Sequence, residues 1–168
     1  SGEVFTLGQG YFYTPTMVEF YEGESCADIL KRAFADAGLE IQYSGEDSTF
    51  YLQSVKGADK KFVCLPGYMK DYLADNDVEL ADNADEWLGE RDYTSMSGWM
   101  YTVNNEMANV GMGSYYPKSG DVMRVHYTIY GYGADIGFGW GGSADEMADK
   151  DKITRLLAEI TASDLVKP

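Results

Sequence analysis

The sequence predicts an α+β fold. Runs rich in Val, Ile, Thr, Tyr and Phe recur between turn signals, one sharply bounded amphipathic helix interrupts them early, and no internal repeat is present. A chain of 168 residues with 45% apolar and 14% aromatic content can bury a core of its own, which excludes intrinsic disorder.

From Val4 to Tyr21 two short stretches have strand composition, and Thr14-Pro15 between them predicts a turn. Glu22-Gly23-Glu24 is a polar turn, and Ser25 with Asp28 three residues on forms a capping-box signature. Ile29, Leu30, Ala33, Phe34 and Ala37 then recur at helical spacing, and Gly38 is the stop. Ile41-Gln42-Tyr43 and Phe50 to Val55 read as strands around Ser44-Gly45-Glu46-Asp47, and Phe62 to Leu65 as a further strand. Tyr68 to about Leu88 reads as helical through Tyr68, Met69, Tyr72, Leu73, Val78, Leu80, Trp87 and Leu88. Trp99 to Val103 alternates, and Asn104-Asn105 suits a two-residue turn whose return strand runs from Glu106 to Val110. Tyr116 to Asp121 is turn chemistry. Val122 to Tyr130 is the longest strand, with Met123, Val125, Tyr127 and Ile129 on one face. Arg124, His126 and Thr128 lie on the other face, which reads as exposed. The glycine-rich stretch Gly131 to Gly142 leads to a predicted C-terminal helix with Met147, Ile153, Leu156, Leu157 and Ile160 as its apolar positions.

Thirteen basic against 28 acidic residues give a net charge of −15, which argues against nucleic acid and anionic lipid as partners. No run of about 18 apolar residues exists, so no membrane span is expected. The chain opens without a basic and apolar leader, so any signal peptide is expected to have been removed. With a single histidine, any Ser-His-Asp triad would need His126, and no GxSxG elbow precedes a helix. In Gly131 to Gly137 the third glycine comes one place late for a dinucleotide fingerprint, and no βαβ unit surrounds it. Catalysis is not expected, and no cofactor is called for.

Three features leave two readings each. Cys26 and Cys64 fit a disulfide in an oxidising compartment, or two buried thiols. Asp75, Asp77, Glu79 and Glu86 occupy the first, third, fifth and twelfth places of an EF-hand-like loop, but Leu80 stands where glycine belongs. They are a weak calcium candidate or a solvated charge run. Aromatics at turns and strand ends, among them Tyr115, Tyr116, Tyr132 and Trp140, are a contact surface or half-buried sheet residues.

Gly98-Trp99-Met100-Tyr101-Thr102-Val103-Asn104, Val110-Gly111-Met112 leading to Tyr115, Gly120-Asp121-Val122, Tyr127-Thr128 and Asp135-Ile136-Gly137 occur in that order and resemble the transcobalamin-like C-terminal domain family. Glu22 to Ser25 with Leu30 is similar to that family's strand-to-helix entry. The resemblance implies a β-grasp-like mixed sheet packed on the Ser25–Ala37 helix, with Trp99, Tyr101 and Val103 filling the space beneath it. It implies one domain over residues 1–140, an acidic, partly helical elaboration from Lys56 to Ser97, and a linker and helix over 141–168. It also implies a module of secreted or wall-associated proteins of Gram-positive bacteria, one piece of a longer surface protein, that binds an extracellular glycan, a protein or a small molecule. A corrinoid is the alternative ligand, approaching Asn104, Asn105 and the stretch Val110, Gly111, Met112, Tyr115 and Tyr116, although the helical barrel that completes the cobalamin carriers is not in these residues. A structural spacer is the third reading.

Overall fold

The protein, a computed structural model, is described over residues 11–56, 67–81, 86–130 and 157–166. Eight strands in two sheets and two helices form the described part. The chain order is β1 (Tyr11–Tyr21), α1 (Cys26–Asp36), β2 (Glu40–Ser44), β3 (Tyr51–Lys56), α2 (Gly67–Asp75), β4 (Trp87–Gly89), β5 (Gly98–Val103), β6 (Glu106–Met107), β7 (Val122–Thr128) and β8 (Leu157–Val166). The larger sheet runs β1-β8-β7-β5-β6, and the smaller runs β2-β3-β4. This mostly β architecture, with two short helices, corrects the expected α+β fold of a single mixed sheet on one main helix.

The largest correction falls at the C-terminal end, where β8 replaces the predicted helix. The spacing of Ile153, Leu156, Leu157 and Ile160 matches a helix, but Ala158, Ile160 and Ala162 are buried with period two. Tertiary pairing decides the outcome, because β8 lies between β1, which it joins in parallel, and β7, which it joins antiparallel. It is a strand inside the main sheet, not an appended helix. Met147, Ile153 and Leu156 lie outside the described residues, as do Phe62 to Leu65 and Gly131 to Gly142.

Other boundaries also move. Where two strands and a turn are expected, β1 runs unbroken through Pro15, at a register shift between Tyr13 and Thr16. β1 ends the sheet order, and proline is tolerated on such a strand or at a bulge. The helix expected to reach Leu88 stops at Asp75. Asp77 takes φ +55°, Val78 N–H donates to Leu73 O at 2.9 Å, and Trp87-Leu88-Gly89 is strand instead. The return strand after Asn104-Asn105 is only two residues long.

The early helix and the hairpin match expectation. Ser25 Oγ accepts from Asp28 N–H at 3.2 Å while Asp28 Oδ2 accepts from Ser25 N–H at 3.0 Å, and Gly38 at φ +78° ends α1. Asn104 and Asn105 take φ +53° and +64°, as the tight turn demands. Phe34 is fully buried and meets Phe12 edge-on at 5.8 Å, and Phe12 meets Trp99 at 5.3 Å. The indole thus reaches α1 through Phe12.

Cys26, at the first turn of α1, is a free and buried thiol. Burial and then the Asp121 carboxylate push it up to about 12 from an ordinary 9.0. A thiol raised on folding contributes stability that is whole below pH 9 and is lost as pH climbs to 12, by about 4 kcal/mol. Urea unfolding across that window should show this loss in the parent and a shallower one in Cys26→Ala. Equal slopes would contradict it.

Candidate functional site

β5 alternates its side chains, so Trp99, Tyr101 and Val103 face one way and Gly98, Met100 and Thr102 the other. On the Gly98 side a cleft of about 360 Å3 opens beside β3. Tyr51, Glu90, Arg91, Ser95, Met96, Ser97, Gly98, Trp99, Met100, Met107 and Thr128 line it. Tyr51 Oη donates to Glu90 Oε2 at 3.2 Å. Burial first, and then the charge and hydrogen bond of Glu90, raise the Tyr51 phenol, so it stays a donor at neutral pH. Met96, Met100 and Met107 give the wall a polarizable, adaptable surface.

The loop forming one lip is held from beneath. Ser97 Oγ accepts from Tyr93 N–H at 3.1 Å and donates to Thr94 O at 3.0 Å, and Thr94 Oγ1 donates to Ile129 O. Arg91 takes φ +62° while its N–H donates to Ser97 O at 2.9 Å. Such a backbone conformation persists only where the surroundings over-determine it. Arg91, Ser95 and Met96 also face a second hollow of about 530 Å3, lined further by Asp77, Glu79, Tyr93 and Tyr130.

Thr128 continues into a buried polar row on the same face of β7. His126 is 0% exposed, against the expected solvent-facing position, because β7 lies between β5 and β8 with both its faces covered. Thr102 Oγ1 and His126 Nε2 are 2.8 Å apart. Arg124 is buried, with Nε 3.2 Å from Glu159 Oε1 and Nη1 donating to Asn105 Oδ1 at 3.1 Å. These groups tie β5, β7 and β8 together.

The residues singled out from sequence do not gather into one site. Asn104 accepts from Val122 N–H and donates to Asp121, and Asn105 receives Arg124, so both secure the hairpin. Val110 O accepts from Tyr101 Oη, Gly111 precedes a 3-10 turn at Met112–Ser114, and Met112 is core. Tyr115 O accepts from Cys26 N–H at 2.8 Å, which seats α1, while Tyr116 is 61% exposed. Tyr132 and Trp140 lie outside the described residues, as does Cys64, the candidate disulfide partner of Cys26. Among the described residues no three acidic, His or Cys side chains form a metal-holding group. Asp75 closes α2, Asp77 turns the chain, Glu79 lines the second hollow, and Glu86 sits 3.8 Å from Lys56.

Sequence reasoning passed over Tyr51, Arg91 and the three cleft methionines. The signal available was local: Met96-Ser97-Gly98-Trp99-Met100 sets two methionines around a side-chain-free position, behind a Thr/Ser-rich loop. No curated protein and no solved structure matches the chain. Residues 85–128, from just before β4 to the end of β7, match a family described only as a domain of unknown function, DUF4430.

Proposed function

We propose that this is a non-catalytic ligand-binding or adhesion module of a secreted or wall-associated bacterial surface protein, and that the cleft between Tyr51 and Met107 receives its ligand. The observation carrying this reading is that the family-matched segment supplies ten of the eleven residues lining the cleft. Small-molecule sites are commonly apolar hollows of about 300–1,000 Å3 with a few convergent polar groups. Here the methionines are the apolar part, and the Tyr51 phenol and Arg91 the polar part. A binding role rather than catalysis is supported by His126, whose ring is buried against Thr102 rather than presented in the cleft. The surface location and the transcobalamin-like kinship rest on the order of motifs from Gly98 to Gly137, within which most of the family match falls.

The test is a fluorescence titration with 1-anilinonaphthalene-8-sulfonate, whose flat apolar body and single anionic group suit the methionines and Arg91. Saturable binding that is lost in Met100→Glu and weakened in Arg91→Ala supports the cleft. A signal unchanged in both variants removes it. A parallel titration of cobinamide, followed by visible absorbance, tests the corrinoid alternative: a saturable change would assign the ligand to that class.

A further inference from the structure

The outer face of the small sheet holds a third hollow, which shares only Glu90 with the cleft. Its origin is a bulge. Gln42 pairs with Ser54 but Tyr43 pairs with Leu52, so Gln53 is an extra residue on β3. Leu52 and Val55, three apart, can therefore both enter the core, while Gln53 and Ser54 both line the hollow. Across the ladder from Ser54 stands Gly89, where a Cβ would come within 2.6 Å of Ser54 Cβ, so the bulge requires a side-chain-free notch. Gly89 is fixed from both sides: its N–H donates to Asp92 Oδ2 at 2.7 Å, and its carbonyl accepts from Tyr127 Oη at 2.7 Å. The result is a bowl of about 440 Å3 with Ser54 and Gly89 as its floor and Gln42, Trp87, Glu90 and Asp92 around it.

Its chemistry narrows the occupant. Glu90 and Asp92 oppose an anion, as does the net charge of −15. A cation is disfavoured because the Lys56 ammonium, 5.8 Å from the Trp87 ring and paired with Glu40 and Glu86, already places a positive charge there that would repel it. What suits a half-buried indole ringed by amides and carboxylates is a neutral ring with hydroxyl donors and acceptors on its rim and C–H bonds on its face. The Gln42 amide is already oriented, since its Oε1 accepts from Ser54 Oγ at 2.7 Å, which leaves its amino group as a donor.

We propose that this bowl is a sugar-binding subsite, in which a neutral pyranose unit stacks on Trp87 and hydrogen-bonds to Gln42, Gln53 and the neighbouring carboxylates.

The test follows the tryptophan indole N–H signals by NMR during titration with glucose, galactose, mannose, N-acetylglucosamine and their disaccharides. A saturable shift of the Trp87 signal by at least one sugar is expected, and a stronger response to the disaccharide would mark a glycan chain as its source. Trp87→Ala should weaken binding of that sugar by about tenfold, as loss of a stacking contact implies. Gln42→Ala, on an exposed edge strand, should weaken it less and leave the fold intact. Silence of the Trp87 signal across the panel overturns the proposal, as would a response to choline in place of any sugar.

Discussion

Trp99→Ala is expected to destabilise the protein by about 4 kcal/mol, the largest effect foreseen for a substitution, as for other buried large aromatics cut to alanine. The indole is 7% exposed, stacks edge-on with Phe12 at 5.3 Å and with Tyr127 at 5.0 Å, and donates Nε1–H to Leu88 O at 2.9 Å. Two losses therefore combine: a cavity at the centre of the ring chain, and a carbonyl of β4 left without its donor. Trp99→Phe separates them, since it keeps a ring but not the N–H, and should cost about 1–2 kcal/mol. Urea unfolding of both variants measures the pair. A loss under about 1 kcal/mol for alanine would show that the ring chain does not bear on stability in the way its burial implies.

Arg124→Met should cost about 3 kcal/mol, because it strips the cation from Glu159 inside the β7–β8 pair and removes the donor to Asn105. Its arginine is buried and its carboxylate partner only 21% exposed, so water restores little of what is lost. Replacing both members of this ion pair, in Arg124→Met with Glu159→Leu, should recover part of the stability, since Glu159 is then not left as a half-buried charge facing an apolar side chain. Thermal unfolding of the single and double variants decides the matter. A double variant as unstable as the single would contradict this account.

What the sequence made legible was local. Ser25 and Asp28 announce α1, Gly38 ends it, and Asn104-Asn105 declares the hairpin, because each acts within a few residues of its own backbone. What it concealed was set by distant partners. His126 looks solvent-facing from the alternation of β7 alone, and only the presence of β8 beside β7 with both faces covered buries it. Ile160 satisfies a helical spacing and a strand alternation equally, and pairing with Met123 selects the strand. The cleft joins Tyr51 of β3 to Met107 of β6, and the bowl depends on an extra residue at Gln53, which no periodicity announces. Sites assembled in this way are visible only once the strands have been placed.

The parallel union of β1 and β8 has a kinetic consequence. Among the described residues, the first strand finds its sheet neighbour only in residues 157–166, more than a hundred positions away. During synthesis, β1 and β7 must each wait with a hydrogen-bonding edge open until residues 157–166 leave the ribosome. Such distant closure predicts slow refolding for a domain of this size, and a nascent chain stalled before Leu157 should be prone to self-association through those open edges.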